Sequence, residues 1–74
     1  MTLSALELGT KAVVISFEEK GAFVQRMMEM GLTPGCEIER VHNAPFGGTI
    51  AVRCRGTLIA IRLDDAAIIE VKVL

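Results

Sequence analysis

The rhythm of turn-forming residues across Met30 to Arg62, MGLTPGCEIERVHNAPFGGTIAVRCRGTLIAIR, constrains this chain more than any other feature. Gly31, Pro34 with Gly35, Pro45 with Gly47 and Gly48, and Gly56 each mark a place where the backbone turns or takes a φ that side chains resist. The apolar stretches between them are too short for anything but strands of one compact sheet system. The chain therefore reads as a small β-barrel that presents loops.

Two of those stretches specify each other. If Arg55 and Gly56 form a two-residue hairpin loop between Thr49–Cys54 and Thr57–Leu63, Cys54 faces Thr57, Val52 faces Ile59 and Ile50 faces Ile61. These large apolar residues then share one face, and the other carries Ala51, Arg53, Leu58, Ala60 and Arg62. Upstream, Ser4 and Glu7 have the spacing of a capping box for one helical turn, which Gly9 ends. Ala12 to Phe17 reads as a strand with Val13, Ile15 and Phe17 on one face.

The period changes at Ala22. At about 100° per residue, Phe23, Val24, Met27, Met28 and Met30 fall in one arc and Gln25, Arg26 and Glu29 opposite, which predicts a helix from Ala22 to Met30. Gly31 is placed to take the left-handed conformation just past its end, and Pro34 prevents any continuation. In Glu37 to Asn43, Ile38 and Val41 differ in parity, which predicts a bulge or a strongly coiled edge strand. Asp64 to Ala67 reads as a short turn capped by its aspartates. Ile69, Val71 and Val73 alternate in a final strand. The expectation is a mostly β, single domain over residues 1–74, with five or six short strands, one α-helix at about residues 22–30 and short helical turns.

Composition narrows the function. Seventy-four residues is near the lower size for an unaided apolar core, and a hydrophobic share of 51% compensates. Trp and Tyr are absent and only three Phe occur, so there is no aromatic platform for stacking bases or gripping proline-rich peptides. A net charge of −1 argues against nucleic acid as a partner. Four arginines fall between Arg40 and Arg62, enough for either a local basic face or an ordinary solvated surface. Two cysteines in a chain without a secretory signal favour free thiols in a reducing compartment. The apolar runs fall far short of the roughly 20 residues that cross a bilayer, so direct membrane insertion is not expected.

No catalytic constellation can be assembled, and the chain reads as a non-enzyme without a cofactor. His42 is the only histidine. Cys36, His42 and Cys54 can be imagined as a metal site, but their spacings match no recurring zinc pattern, which leaves Cys36 and His42 as weak candidates. Cys54 falls on the predicted core face, and Cys36 follows a Pro-Gly turn where partial exposure is expected. Met27, Met28 and Met30 carry thioethers that suit cuprous ions, yet methionine on the apolar arc of a helix is ordinarily core filler or an adaptable contact surface. The stretch Asn43-Ala-Pro-Phe-Gly-Gly48 leaves two readings open. Phe46 either folds back to plug one end of the barrel or stands in a recognition loop.

In their order and spacing these elements resemble the FeoA family, the small cytoplasmic accessory proteins of bacterial ferrous-iron uptake, over nearly the whole chain. The resemblance is carried by Leu3 to Gly9 before the first strand, by Met30-Gly-Leu-Thr-Pro-Gly35 and by the loop Ala44-Pro-Phe-Gly-Gly48. Arg55-Gly56, Ala60-Ile-Arg62 and Asp65-Ala-Ala-Ile-Ile-Glu-Val71 complete it. Phe46 stands where the family usually has Leu, and Thr49 where it commonly has Pro, so the loop keeps its turns while its contact chemistry differs. The resemblance implies an SH3-like barrel and a cytoplasmic role in ferrous-iron transport, at the inner face of the membrane, on the GTPase part of the transporter FeoB. The expected contact residues are Leu32, Pro45, Phe46, Gly47 and Gly48. A metal-binding or metal-sensing domain, like the SH3-like carboxy-terminal domain of iron-dependent repressors, is the alternative. Exposed strand edges on so small a domain also allow weak pairing between copies.

Overall fold

The computed structural model describes residues 1–43 and 47–74, with the side chains of His42 and Asn43 outside that description. A 3₁₀ turn (Leu3–Ala5) leads into β1 (Lys11–Phe17), α1 (Ala22–Glu29), β2 (Glu37–Asn43), β3 (Thr49–Cys54), β4 (Thr57–Arg62), the short helical turn α2 (Leu63–Ala66) and β5 (Ile69–Val73). The five strands form one antiparallel sheet in the order β4-β3-β2-β1-β5. The expected SH3-like barrel is therefore open between β4 and β5. Seen from the core, Ile50, Val52, Ile59, Ile61, Ile69 and Val71 point inward from the sheet, and Leu3, Leu6, Met27 and Leu32 complete the cluster from the connecting segments.

The β3–β4 hairpin has the expected register, pairing Cys54 with Thr57, Val52 with Ile59 and Ile50 with Ile61. Its turn takes left-handed backbone at both central positions, Arg55 at φ 53° and Gly56 at φ 80°, as a tight hairpin following the sheet twist requires. Leu63 leaves β4 for the first position of α2, where no side chain caps the turn. Asp64 and Asp65 sit in that first turn without capping it.

Parity misled the reading of β1. Ala12 and Val14 are buried, while Ile15 is 46% exposed. The run Ala12 to Ile15 is apolar on both parities, so the neighbours decide: Ala12 lies opposite Ile38 of β2 and Val14 opposite Val71 of β5, both inward-facing. A register shift between Val14 and Ser16 then flips the strand, which returns Phe17 to the core side opposite Ile69. The expected bulge in β2 is present between Arg40 and His42, although β2 is a central strand and not an edge.

The helix buries Val24 and Met27 with Phe23 packed alongside, whereas Met28 and Met30 stand 40% and 43% exposed. An arc wide enough to hold all five residues is wider than the one face that the sheet covers. The capping box does not form: Thr2 precedes the 3₁₀ turn without a side-chain cap, and its hydroxyl instead meets that of Ser4 at 2.7 Å.

Candidate functional site

Each expected contact residue has a distinct local cause. The Gly31 N–H donates to the Met28 carbonyl (3.0 Å) and the Leu32 N–H to the Met27 carbonyl (2.9 Å), with Gly31 at φ 100°. This is the pair of bonds that ends a helix in a Schellman turn, and such turns set an apolar residue after the glycine against the last helical turn. Leu32 is that residue and is fully buried. The expectation that Leu32 contacts a partner is therefore corrected: it belongs to the core.

Gly47 and Gly48 are exposed, with φ of 75° and 76°, and lead into β3. The Gly48 carbonyl accepts from the Leu63 N–H at 2.8 Å, which ties the end of this loop to the start of α2. The expectations for Pro45 and Phe46, and for the side chain of His42, fall outside the described residues.

Cys36 departs from the expected partial exposure. Cys36 and Cys54 bring their sulfurs together inside the core, with Cα atoms 7.2 Å apart, and neither is exposed. Ile38 lies opposite Cys54 in the β2–β3 register, and Cys36 sits two residues earlier on the same inward face. That juxtaposition depends on the bulged register of two strands, which a spacing of 18 residues does not reveal. Cys36 is thus a buried core side chain. Among the described residues no three His, Cys, Asp or Glu side chains group together as a metal ion would require.

Arg40 is not part of a basic face. It lies opposite Val52 and so points to the core side, where its Nη1 donates to the carbonyls of Leu6 and Ser4 (3.4 Å to the latter). Its own backbone continues the link, since the Gly9 N–H donates to the Arg40 carbonyl (2.6 Å) and the Arg40 N–H to the Thr10 carbonyl (3.2 Å). Arg40 thus fastens the segment before β1 onto the bulge of β2. The sequence carried a usable sign of this, because Arg40 shares the parity of Ile38.

Arg53, Arg55 and Arg62 remain on the outside of the hairpin around Leu58, which is 55% exposed. Arg53 meets Glu39 of β2 at 3.8 Å, an exposed pair that water screens and that adds little stability. No helix among the described residues is long and apolar enough to cross a membrane.

Known proteins match this fold along its whole length. The model of the FeoA domain matches residues 1–73. A fusion of Fe(2+) transport protein A with the Fe(2+) transporter FeoB from Porphyromonas gingivalis is 36% identical over 74 residues, which are all of this chain and 9% of that protein. The solution structure of a FeoA protein from Chlorobium tepidum superposes with a TM-score of 0.94 at 36% identity, over 100% of this chain and 70% of that one. A zinc complex of FeoA from Stenotrophomonas maltophilia, described as a prokaryotic SH3 domain protein, matches with a TM-score of 0.85 at 34% identity, over 97% of this chain and 89% of that one. A domain match that spans nearly every residue, on a sheet of the same architecture, makes this chain a member of the FeoA family.

Proposed function

We propose that the chain is a noncatalytic accessory module of ferrous-iron uptake that binds the cytoplasmic GTPase part of a FeoB-type transporter. The observation that carries this reading is the fusion in Porphyromonas gingivalis, where a relative of the chain and FeoB form one polypeptide. Covalent linkage keeps two partners at an effective concentration that separate chains must replace with an interface. A module of this kind works in the cytoplasm and reaches the inner face of the membrane through its partner.

The loop ending in Gly47 and Gly48 is the proposed contact, with Pro45 and Phe46 supplying the apolar surface and the two glycines its exposed, left-handed backbone. Leu32 shapes the core and takes no part. Calorimetric titration of the transporter's isolated cytoplasmic domain, with and without guanine nucleotide, tests the reading. Binding should weaken about tenfold in Phe46→Ala, the usual effect of truncating an interface aromatic. Absence of binding in every nucleotide state would overturn the role, and equal binding by Phe46→Ala would overturn the loop. Titrating ferrous and zinc ions anaerobically separates this reading from metal sensing, which requires a saturable micromolar site.

A further inference from the structure

The two edges of the sheet are treated differently. On β5 the outer edge is covered by the start of the chain: Thr2 bridges Glu70, and the Val71 N–H donates to the Met1 carbonyl at 2.8 Å. On β4 nothing comparable occurs among the described residues. In a two-residue hairpin closed by Cys54 and Thr57, residues 57, 59 and 61 turn their backbone groups toward β3, and residues 58, 60 and 62 turn theirs outward. Among the described residues no backbone hydrogen bond outside the hairpin reaches Leu58, Ala60 or Arg62.

The side chains along this edge fit one kind of visitor. An edge guarded only against pairing is lined with charge or interrupted by proline. Here Leu58 is 55% exposed and Ala60 leaves room for a close backbone approach, so a strand can dock without obstruction. The charge carried by the hairpin itself has a single sign. From Thr49 to Arg62 there are three arginines, Arg53, Arg55 and Arg62, and no acidic residue. Among the described residues neither Arg55 nor Arg62 has an ion-pair partner, and Arg53 has only the loose contact with Glu39 at 3.8 Å. A second copy of the same edge would bring these arginines against their own kind.

We infer that the open edge of β4 is a docking site for an extended, acidic segment of a partner protein, which joins the sheet as a further strand. Its backbone pairs with Leu58, Ala60 and Arg62, an apolar side chain covers Leu58, and its carboxylates meet Arg55 and Arg62. Strand addition of this type takes its affinity from main-chain hydrogen bonds and its selectivity from the flanking side chains. The inference rests on the reading that the chain works by binding another protein, and it concerns a surface separate from the Phe46 loop.

The probe is a synthetic peptide of alternating Glu and Val, blocked at both ends and titrated into the isotopically labelled full chain. The amide resonances of Leu58, Ala60 and Arg62 should shift, and hydrogen exchange at Leu58 and Ala60 should slow. Binding should fall about tenfold in the folded double variant Arg55→Glu/Arg62→Glu and about threefold in the milder Arg62→Gln. Equal binding of a Lys-Val peptide, shifts confined to another surface, self-association through β4 in the absence of peptide, or no binding at millimolar peptide would each overturn the inference. The transporter is absent from this experiment, so its failure is distinct from failure of the transporter-binding measurement.

Discussion

Replacing Leu32 with alanine tests whether this residue is core or contact surface. Its side chain has no solvent exposure, in one cluster with Met27, Cys36 and Cys54. The walls around it cannot easily close. The Leu32 N–H is held by the Met27 carbonyl at 2.9 Å, and the turn that follows is fixed by the Cys36 N–H on the Thr33 carbonyl at 3.0 Å. Leu→Ala in such a site costs about 2–5 kcal/mol, the transfer of the lost methyl groups plus the cavity they leave. We take about 3 kcal/mol, since part of the surround can still relax. At about 0.05–0.15 kcal/mol per residue, a domain of this length has only about 4–11 kcal/mol to lose. With a urea slope of about 1 kcal/mol/M for so small a protein, the unfolding midpoint should drop by about 3 M. Leu58→Ala is the matched control: the same deletion at an outward-facing position should stay within about 0.5 kcal/mol. A loss below about 1 kcal/mol for Leu32→Ala, at unchanged slope, would refute the argument that Leu32 is a core residue of the helix-terminating turn.

Other consequences follow from the same contacts. Gly31→Ala meets no neighbouring atom but must hold φ at 100°, so urea unfolding should show a purely conformational loss of about 1–2 kcal/mol. Arg40→Ala should cost about 2–3 kcal/mol and speed hydrogen exchange in residues 4–10. Arg40→Lys should recover part of it, because both bonds to the Ser4 and Leu6 carbonyls leave a single nitrogen, Nη1, and an ammonium also carries several donors.

Legibility in the sequence followed how local the deciding interaction was. The β3–β4 hairpin could be derived to the residue because a two-residue turn fixes the register, and that register sets Ile50 and Val52 against Ile61 and Ile59 on one face. The Gly31 stop was equally clear. Its consequence for Leu32 was available in principle, since an apolar residue directly after such a glycine commonly packs back on the helix. In β1 the same method failed, because an apolar run without alternation has no preferred face. The proposed site divides in the same way: glycines and prolines mark the Phe46 loop, whereas the open edge of β4 exists only relative to the order of the other strands.

By itself the sequence determined the family, the mostly β class, the helix with its stop, the hairpin and an irregularity in β2. Each of these rests on neighbours in the chain or on a pattern with one solution. Tertiary structure alone decided the face that β1 buries, the meeting of Cys36 with Cys54 in the core, the inward reach of Arg40 to the segment before β1, and which strand is left with an uncovered edge. All four depend on which strands become neighbours and in what register, and those choices are made by the whole core at once.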